Sequence, residues 1–133
     1  MKDSKVDPRT PVIIGVAQQT APYPAPEPAV LLGECLREAV PARVLAAVDS
    51  LQVVAIGTRA YTDPAAIAAA TAGVRAEHRV STTHGGQTPQ ALVGRAAWEI
   101  WTGARDVVAI GGAESWRTRR LLRKEGRSTG WTT

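Results

Sequence analysis

Short apolar runs alternate along this chain with longer segments in which apolar and polar residues are mixed. Four runs, mostly rich in β-branched or aliphatic residues, each predict a β-strand, the kind that is buried on both faces of a parallel sheet. They occupy residues 12–17, 51–56, 79–83 and 107–110, and the third is the most polar of the four.

Between these runs, apolar residues recur at the spacing of an α-helix. Residues 29–40 predict an amphipathic helix and residues 42–48 a shorter helical piece. Asp63-Pro64 and Thr88-Pro89 each predict an N-cap followed by the first helical residue. The two helices that begin there end at Gly73 and Gly103, and the second has a predicted core-facing side formed by Leu92, Val93, Ala96, Ala97, Ile100 and Trp101.

Strands that alternate with helices in this way predict an α/β domain with a mostly parallel sheet of about four strands. The 133 residues suffice for one domain, with a core over residues 11–113 and a separate basic segment over residues 114–133. Four prolines between Ala21 and Pro28 predict an extended connection.

Composition narrows the class of protein. With 44% hydrophobic and 21% charged residues the chain has a globular balance, and its apolar runs are too short to cross a bilayer. The single cysteine, Cys35, lies on the apolar face of the first predicted helix, where we interpret it as a small core residue. These features predict a cytoplasmic protein without a disulfide framework or a membrane partner.

The positive charge is concentrated in one place. Between Glu114 and Arg127 there are six basic and two acidic residues, which accounts for the whole net charge of +4. A basic face built from several elements would favour nucleic-acid binding. Because the charge lies in one segment, we interpret it as a solvated helix or tail, and keep a nucleic-acid-binding module as a third hypothesis.

The segment His84-Gly85-Gly86-Gln87 lies between the third strand and its helix, at the edge where α/β sheets bind ligands. Two glycines let the backbone approach a ligand, and the helix N-terminus offers free N–H groups. The simpler alternative is that the glycines only permit a sharp turn. Neither this segment nor residues 111–115 form a phosphate-binding loop, and the two histidines lack the spacing of a metal site.

Several of these motifs together carry a resemblance to the N-terminal part of the thiolase superfamily, the acetyl-CoA acetyltransferases. It is similar in particular to a branch with a GGN-x-PQ motif. The resemblance covers nearly the whole chain and lies in residues 11–16, 49–54, 85–90, 102–108 and 111–119.

The resemblance implies a three-layer α/β/α half-domain that belongs to lipid metabolism and takes coenzyme A thioesters as substrates. The nucleophilic cysteine of the superfamily falls on Gly86, so no catalytic residue is expected here. His84, Gly85, Gly86 and Gln87 are then candidates for substrate contact, with Gln87 in place of the asparagine of the branch. We expect weak or no coenzyme A binding, no covalently bound cofactor and no metal.

The resemblance also implies that one strand of the sheet is missing. The sheet order of the superfamily leaves a gap between the fourth and first strands of this chain, where a fifth strand belongs. It further implies a homodimer, or pairing with a thiolase-like chain, through Arg79 to Thr83. We therefore expect a partial thiolase-like N-terminal domain over residues 1–133 that is inactive alone and marginally stable without a partner. The alternative is a non-catalytic assembly or binding subunit of a larger thiolase-like complex.

Overall fold

The computed structural model describes residues 5–133. Its helices and strands are, in chain order, α1 (Pro28–Ala39), α2 (Ala42–Leu45), β1 (Ser50–Val53), α3 (Pro64–Ala72), β2 (His78–Ser81), α4 (Thr88–Trp101), β3 (Val108–Gly111) and α5 (Trp116–Lys124). The predicted helices and the last three predicted strands are confirmed, with ends that move by a few residues.

The three strands form one parallel sheet in the order β2-β1-β3. Ser50 at the start of β1 lies opposite His78 of β2 on one side and Val108 of β3 on the other. Since all three strands run in the same direction, their carboxyl ends meet at one edge of the sheet. The predicted α/β class with a parallel sheet is confirmed.

One face of the sheet carries the hydrophobic core. Leu51 and Val53 of β1 are fully buried against residues of α1 and α3, including Leu32 and Ala68. Gly33 explains how closely the two helices approach, because a Cβ at this position would lie 2.7 Å from the carbonyl oxygen of Ala68. The alanines of α3 and this glycine therefore form the contact between the two helices from small residues, in a chain that has no phenylalanine.

The helix α4 covers the opposite face of β1, so the domain has three layers. Ser50 and Gln52 point to this face because side chains alternate along a strand. Both are fully buried, and Gln52 donates a hydrogen bond from Nε2 to Glu99 Oε2 of α4, at 2.9 Å. One face of β1 is thus apolar and the other polar.

The predicted first strand, residues 12–17, does not form. The segment is extended but has no strand partner, and its large side chains are 61% to 81% exposed: Val12, Ile13, Ile14 and Val16. A β-branched run becomes a strand only where a neighbour satisfies its backbone groups. Here an apolar cleft separates the run from β3. The sheet therefore has three strands instead of about four.

The predicted apolar face of α4 is only partly buried. Leu92 and Ala96 are buried, whereas Val93 is 47% and Trp101 is 39% exposed. Cys35, predicted as a core residue, is half-buried. Val93 and Cys35 line the apolar cleft beside β3, which leaves them partly open, whereas the ring of Trp101 lies at the surface and is stacked by the Arg9 guanidinium at 5.3 Å.

No helix within residues 5–133 combines the length and the apolar character that a membrane span requires.

Candidate functional site at the carboxyl edge of the sheet

Three connections leave the sheet at its carboxyl edge and lie next to one another. Residues 54–58 follow β1, residues 82–87 follow β2 and residues 112–115 follow β3. The predicted site segment, His84 to Gln87, is the second of these connections, so the structure confirms its position between β2 and α4. All four of its residues are exposed.

The first and third connections are joined through Glu114. Its carboxylate accepts hydrogen bonds from the backbone N–H groups of Gly57 at 2.6 Å and Thr58 at 2.7 Å. It also accepts a bond from the hydroxyl of Thr58. That hydroxyl oxygen in turn accepts a bond from the N–H of Ser115 at 3.0 Å. A carboxylate bound by several donors is strongly held, so these two connections form one rigid unit.

The imidazole of His84 lies close to this unit. A Cβ placed on Gly57 would be 3.3 Å from Glu114 Oε1, 3.8 Å from His84 Cε1 and 3.1 Å from Trp116 Cζ2. The small residue at position 57 is therefore what allows a histidine, a carboxylate and an exposed indole to converge at one point. His84 was a predicted site residue, whereas neither Gly57 nor Glu114, which are 57 residues apart, was predicted to contact it.

The two glycines of the site segment differ in their surroundings. A Cβ on Gly85 would lie 2.7 Å from Oε1 of Gln87, whose side chain folds back over the turn. A Cβ on Gly86 would have no neighbour within 4 Å, and its backbone is not in the left-handed region. Position 86 is therefore open and could carry a side chain without strain.

The start of α4 differs from the prediction. Gln87 occupies the N-cap position without a side-chain cap, and Thr88 is the first helical residue. The Thr88 hydroxyl donates to the carbonyl oxygen of Gly85 at 2.8 Å instead of accepting from the helix. The threonine therefore stabilises the turn that holds Gly86, and the N-terminal N–H groups of α4 lie just behind that turn.

A shallow depression of about 420 Å³ lies at the same edge of the sheet. It is lined by Val54, Ala55, Pro89, Ile110, Gly111, Gly112, Ala113 and Glu114. None of the predicted residues His84 to Gln87 lines it. The structure thus brings the predicted segment and this depression to the same edge, with Glu114 shared between the depression and the His84 contact.

A second polar cluster lies under α4, away from this edge. Gln52 Nε2 donates to Ser50 Oγ at 3.2 Å, and Ser50 Oγ is 2.8 Å from His78 Nδ1. Glu99 also binds Arg95, at 2.7 Å. Burial alone would raise the pKa of Glu99, but the bonds from Arg95 and Gln52 outweigh it and hold that pKa below its ordinary value. This polar cluster was not predicted, although Gln52, a glutamine inside an apolar strand, is a sequence signal for it.

The basic segment forms α5, directly after the site. Arg119 donates to the carbonyl oxygen of Thr58 at 2.7 Å and stacks on the ring of Trp116 at 5.5 Å. Of the two interpretations of this segment, a solvated helix or a tail, residues 116–124 form the helix, and Arg119 fastens it to the connection after β1. Among residues 5–133, no three side chains are grouped so that they could hold a metal ion.

A comparison with solved structures identifies a thiolase-like fold. The chain is similar to the crystal structure of a monomeric SCP2-thiolase-like protein type 1 from Mycobacterium smegmatis, with a TM-score of 0.70 and 33% sequence identity. The match covers 80% of this chain and 24% of that protein. This chain therefore spans about a quarter of the length of its structural relative.

No protein-family model and no curated protein matches the chain. The fold class and the structural relative together define a thiolase-like α/β domain.

Proposed function

We propose that this chain corresponds to the first portion of a thiolase-like acyl-CoA acyltransferase and does not transfer acyl groups by itself. The observation that carries the proposal is the open, side-chain-free position of Gly86 in front of α4. A helix N-terminus stabilises a thiolate, and position 86 is where the resemblance expects the nucleophilic cysteine. Glycine cannot form the acyl-enzyme that this chemistry requires.

In this proposal the residues His84, Gly85, Gly86 and Gln87 contact a thioester substrate through backbone donors and do not react with it. The exposed loop supports this assignment because each of the four residues is accessible from solvent. Coenzyme A thioesters are the proposed substrate class, and their binding to this chain alone is expected to be weak.

The direct test is thiolysis of acetoacetyl-CoA by the purified chain. We expect a rate equal to that of buffer with coenzyme A, and turnover above that rate would contradict the proposal. Gly86→Cys in a Cys35→Ala background tests the geometry separately. Its thiol should react with iodoacetamide with a lower apparent pKa than the thiol of Gly94→Cys in the same background.

Gly94 is a matched control because a Cβ there also has no neighbour within 4 Å and the residue lies inside α4, away from its N-terminus. Equal titration of the two thiols would mean that position 86 lacks the environment of a nucleophile. That result would overturn the assignment of the site even if the thiolysis assay gave no turnover.

A second candidate function is a non-catalytic assembly subunit, and the exposed outer edge of β2 favours it. β2 ends the sheet on one side, with Arg79 and Ser81 exposed. An open edge is a template for a second strand, so Arg79 to Thr83 is the proposed contact of a homodimer or a thiolase-like partner chain. The amides of His78 and Thr82 bind β1, so the alternating N–H of Ser81 points to the open edge. Light scattering should then give twice the chain mass of 14.0 kDa, and Ser81→Pro, which removes that outward N–H, should return it to the mass of a monomer.

A further inference from the structure

One side of α5 carries a dense positive charge. The helix contains five basic residues and no acidic one, and they recur at three- and four-residue intervals, which places them on one face. Four of them are exposed and form no ion pair within residues 5–133: Arg117, Arg120, Arg123 and Lys124. Trp116 lies on the same side and is 54% exposed. We call these four cations and Trp116 the basic face.

The opposite side of α5 is fastened to the domain. Thr118 and Leu122 are buried, and the Thr118 hydroxyl accepts a hydrogen bond from Ala25 N at 2.9 Å. Arg119 adds its bond to the carbonyl oxygen of Thr58. A freely solvated helix needs no such contacts. They hold the basic face in one orientation, and a surface that is already ordered loses less entropy when it binds a partner.

The acidic groups next to α5 are occupied elsewhere. The Glu114 carboxylate is held by the backbone of the connection after β1. The Glu125 carboxylate accepts from the Tyr23 hydroxyl at 3.0 Å and pairs with Arg127 at 3.1 Å. The charge of the basic face is therefore not neutralised in the described part of the chain, and it attracts a polyanion.

We propose that the basic face is a docking surface for single-stranded nucleic acid, bound without sequence preference. Its four cations contact successive phosphates, and the indole of Trp116 stacks on a base. A cationic surface that carries an exposed aromatic ring is the combination by which proteins bind single strands of any sequence. The proposal goes beyond acyl transfer and does not depend on it.

An anionic membrane is the other large polyanion that attracts a basic helix, and the structure favours it less. Helices that lie on a membrane bury an apolar face among the acyl chains. In α5 the apolar side is turned to the domain, with Leu122 buried and Leu121 half-buried. The ring of Trp116 carries the Arg119 guanidinium at 5.5 Å. The basic face thus offers charge and one ring for stacking, but no apolar surface to insert.

Fluorescence anisotropy of a labelled oligothymidylate of about 20 nucleotides, long enough for one binding site, measures the affinity of the full chain. The titration is repeated at several salt concentrations. Each phosphate contact contributes about −0.7 to the slope of log K against log salt for a single strand. Four cations therefore predict a slope of about −2.8.

Two double variants locate the contacts. Arg120→Gln with Arg123→Gln should halve the slope to about −1.4. Arg37→Gln with Arg75→Gln removes the same net charge from exposed residues outside α5 and should leave the slope unchanged. Trp116→Leu tests stacking separately: the affinity should fall about tenfold at every salt concentration with the same slope, because a stacked base is not a counterion contact.

Four outcomes would overturn the proposal. They are no binding at the lowest salt concentration, an equal loss of slope in the two double variants, tighter binding of a DNA duplex of the same length, and tighter binding of phosphatidylserine vesicles at the same salt concentration. The last two would assign the basic face to double helices or to a membrane. The first, third and fourth are measured on the unmodified chain, so they stand whatever the variants do to the fold.

Discussion

Two regions of the domain differ in how completely their apolar side chains are buried. On the side of α1 and α3, Leu51 and Val53 are fully buried and the helices approach so closely that Gly33 leaves no room for a Cβ. On the side that extends past β3, the apolar cleft stays open and Val12 to Val16 remain exposed. We call these the closed side and the open side.

The difference separates a region whose apolar side chains are covered by elements of the chain itself from a region whose apolar side chains no described residue covers. The closed side is complete because its contacts are between elements that the chain contains. The open side has apolar side chains from α1 and α4 around the cleft, with no described residue between β3 and residues 12–16. The described part of the chain therefore combines a closely packed core with an exposed apolar surface beside it.

The largest effect is expected from a truncation in the core of the closed side. Leu51→Ala removes a fully buried side chain and should lower the free energy of unfolding by about 2–5 kcal/mol. Ile13→Ala makes a comparable truncation at a residue that is 81% exposed and should change it by less than about 0.5 kcal/mol. Urea denaturation followed by circular dichroism measures both. Equal losses would mean that residues 12–16 belong to the core.

A smaller effect is expected at Cys35, which lines the cleft of the open side. Burial, with a contribution from the charge of Glu38, raises the pKa of the Cys35 thiol above its ordinary value. The thiolate is the reactive form, so alkylation of Cys35 by iodoacetamide should be slow at pH 8 and should accelerate only at higher pH. A midpoint at the ordinary value of about 8.5 would show that water fills the cleft around the thiol.

Much of the fold was predictable because it is encoded locally. Helical spacing predicted α1 and α4, whereas α3 was predicted from its end signals, Asp63-Pro64 and Gly73. The Asp63 carboxylate does cap that helix, accepting from Ala66 N at 2.9 Å. The run at residues 12–17 has the composition of a strand as clear as that of β1. It failed as a prediction because pairing depends on a neighbour, and composition does not reveal whether that neighbour is present.

The candidate site shows the same limit. The turn at Gly85 and Gly86 was predictable because strand, glycines and helix follow one another along the chain. The hydrogen bonds from Thr58 to the Glu114 carboxylate were not predictable, since the two residues are 56 positions apart and meet only after β1 and β3 pair. The apolar face of α4 was predicted as buried because periodicity identifies an apolar face but not what covers it.

Amide hydrogen exchange of the isolated chain tests the distinction between the two sides most directly. The amide of Gln52, in the central strand, should exchange at least about a hundredfold more slowly than the amides of Val12 to Val16, relative to their intrinsic rates. Comparable protection at these two places would mean that the run is already paired within the chain, and would contradict the existence of an open side.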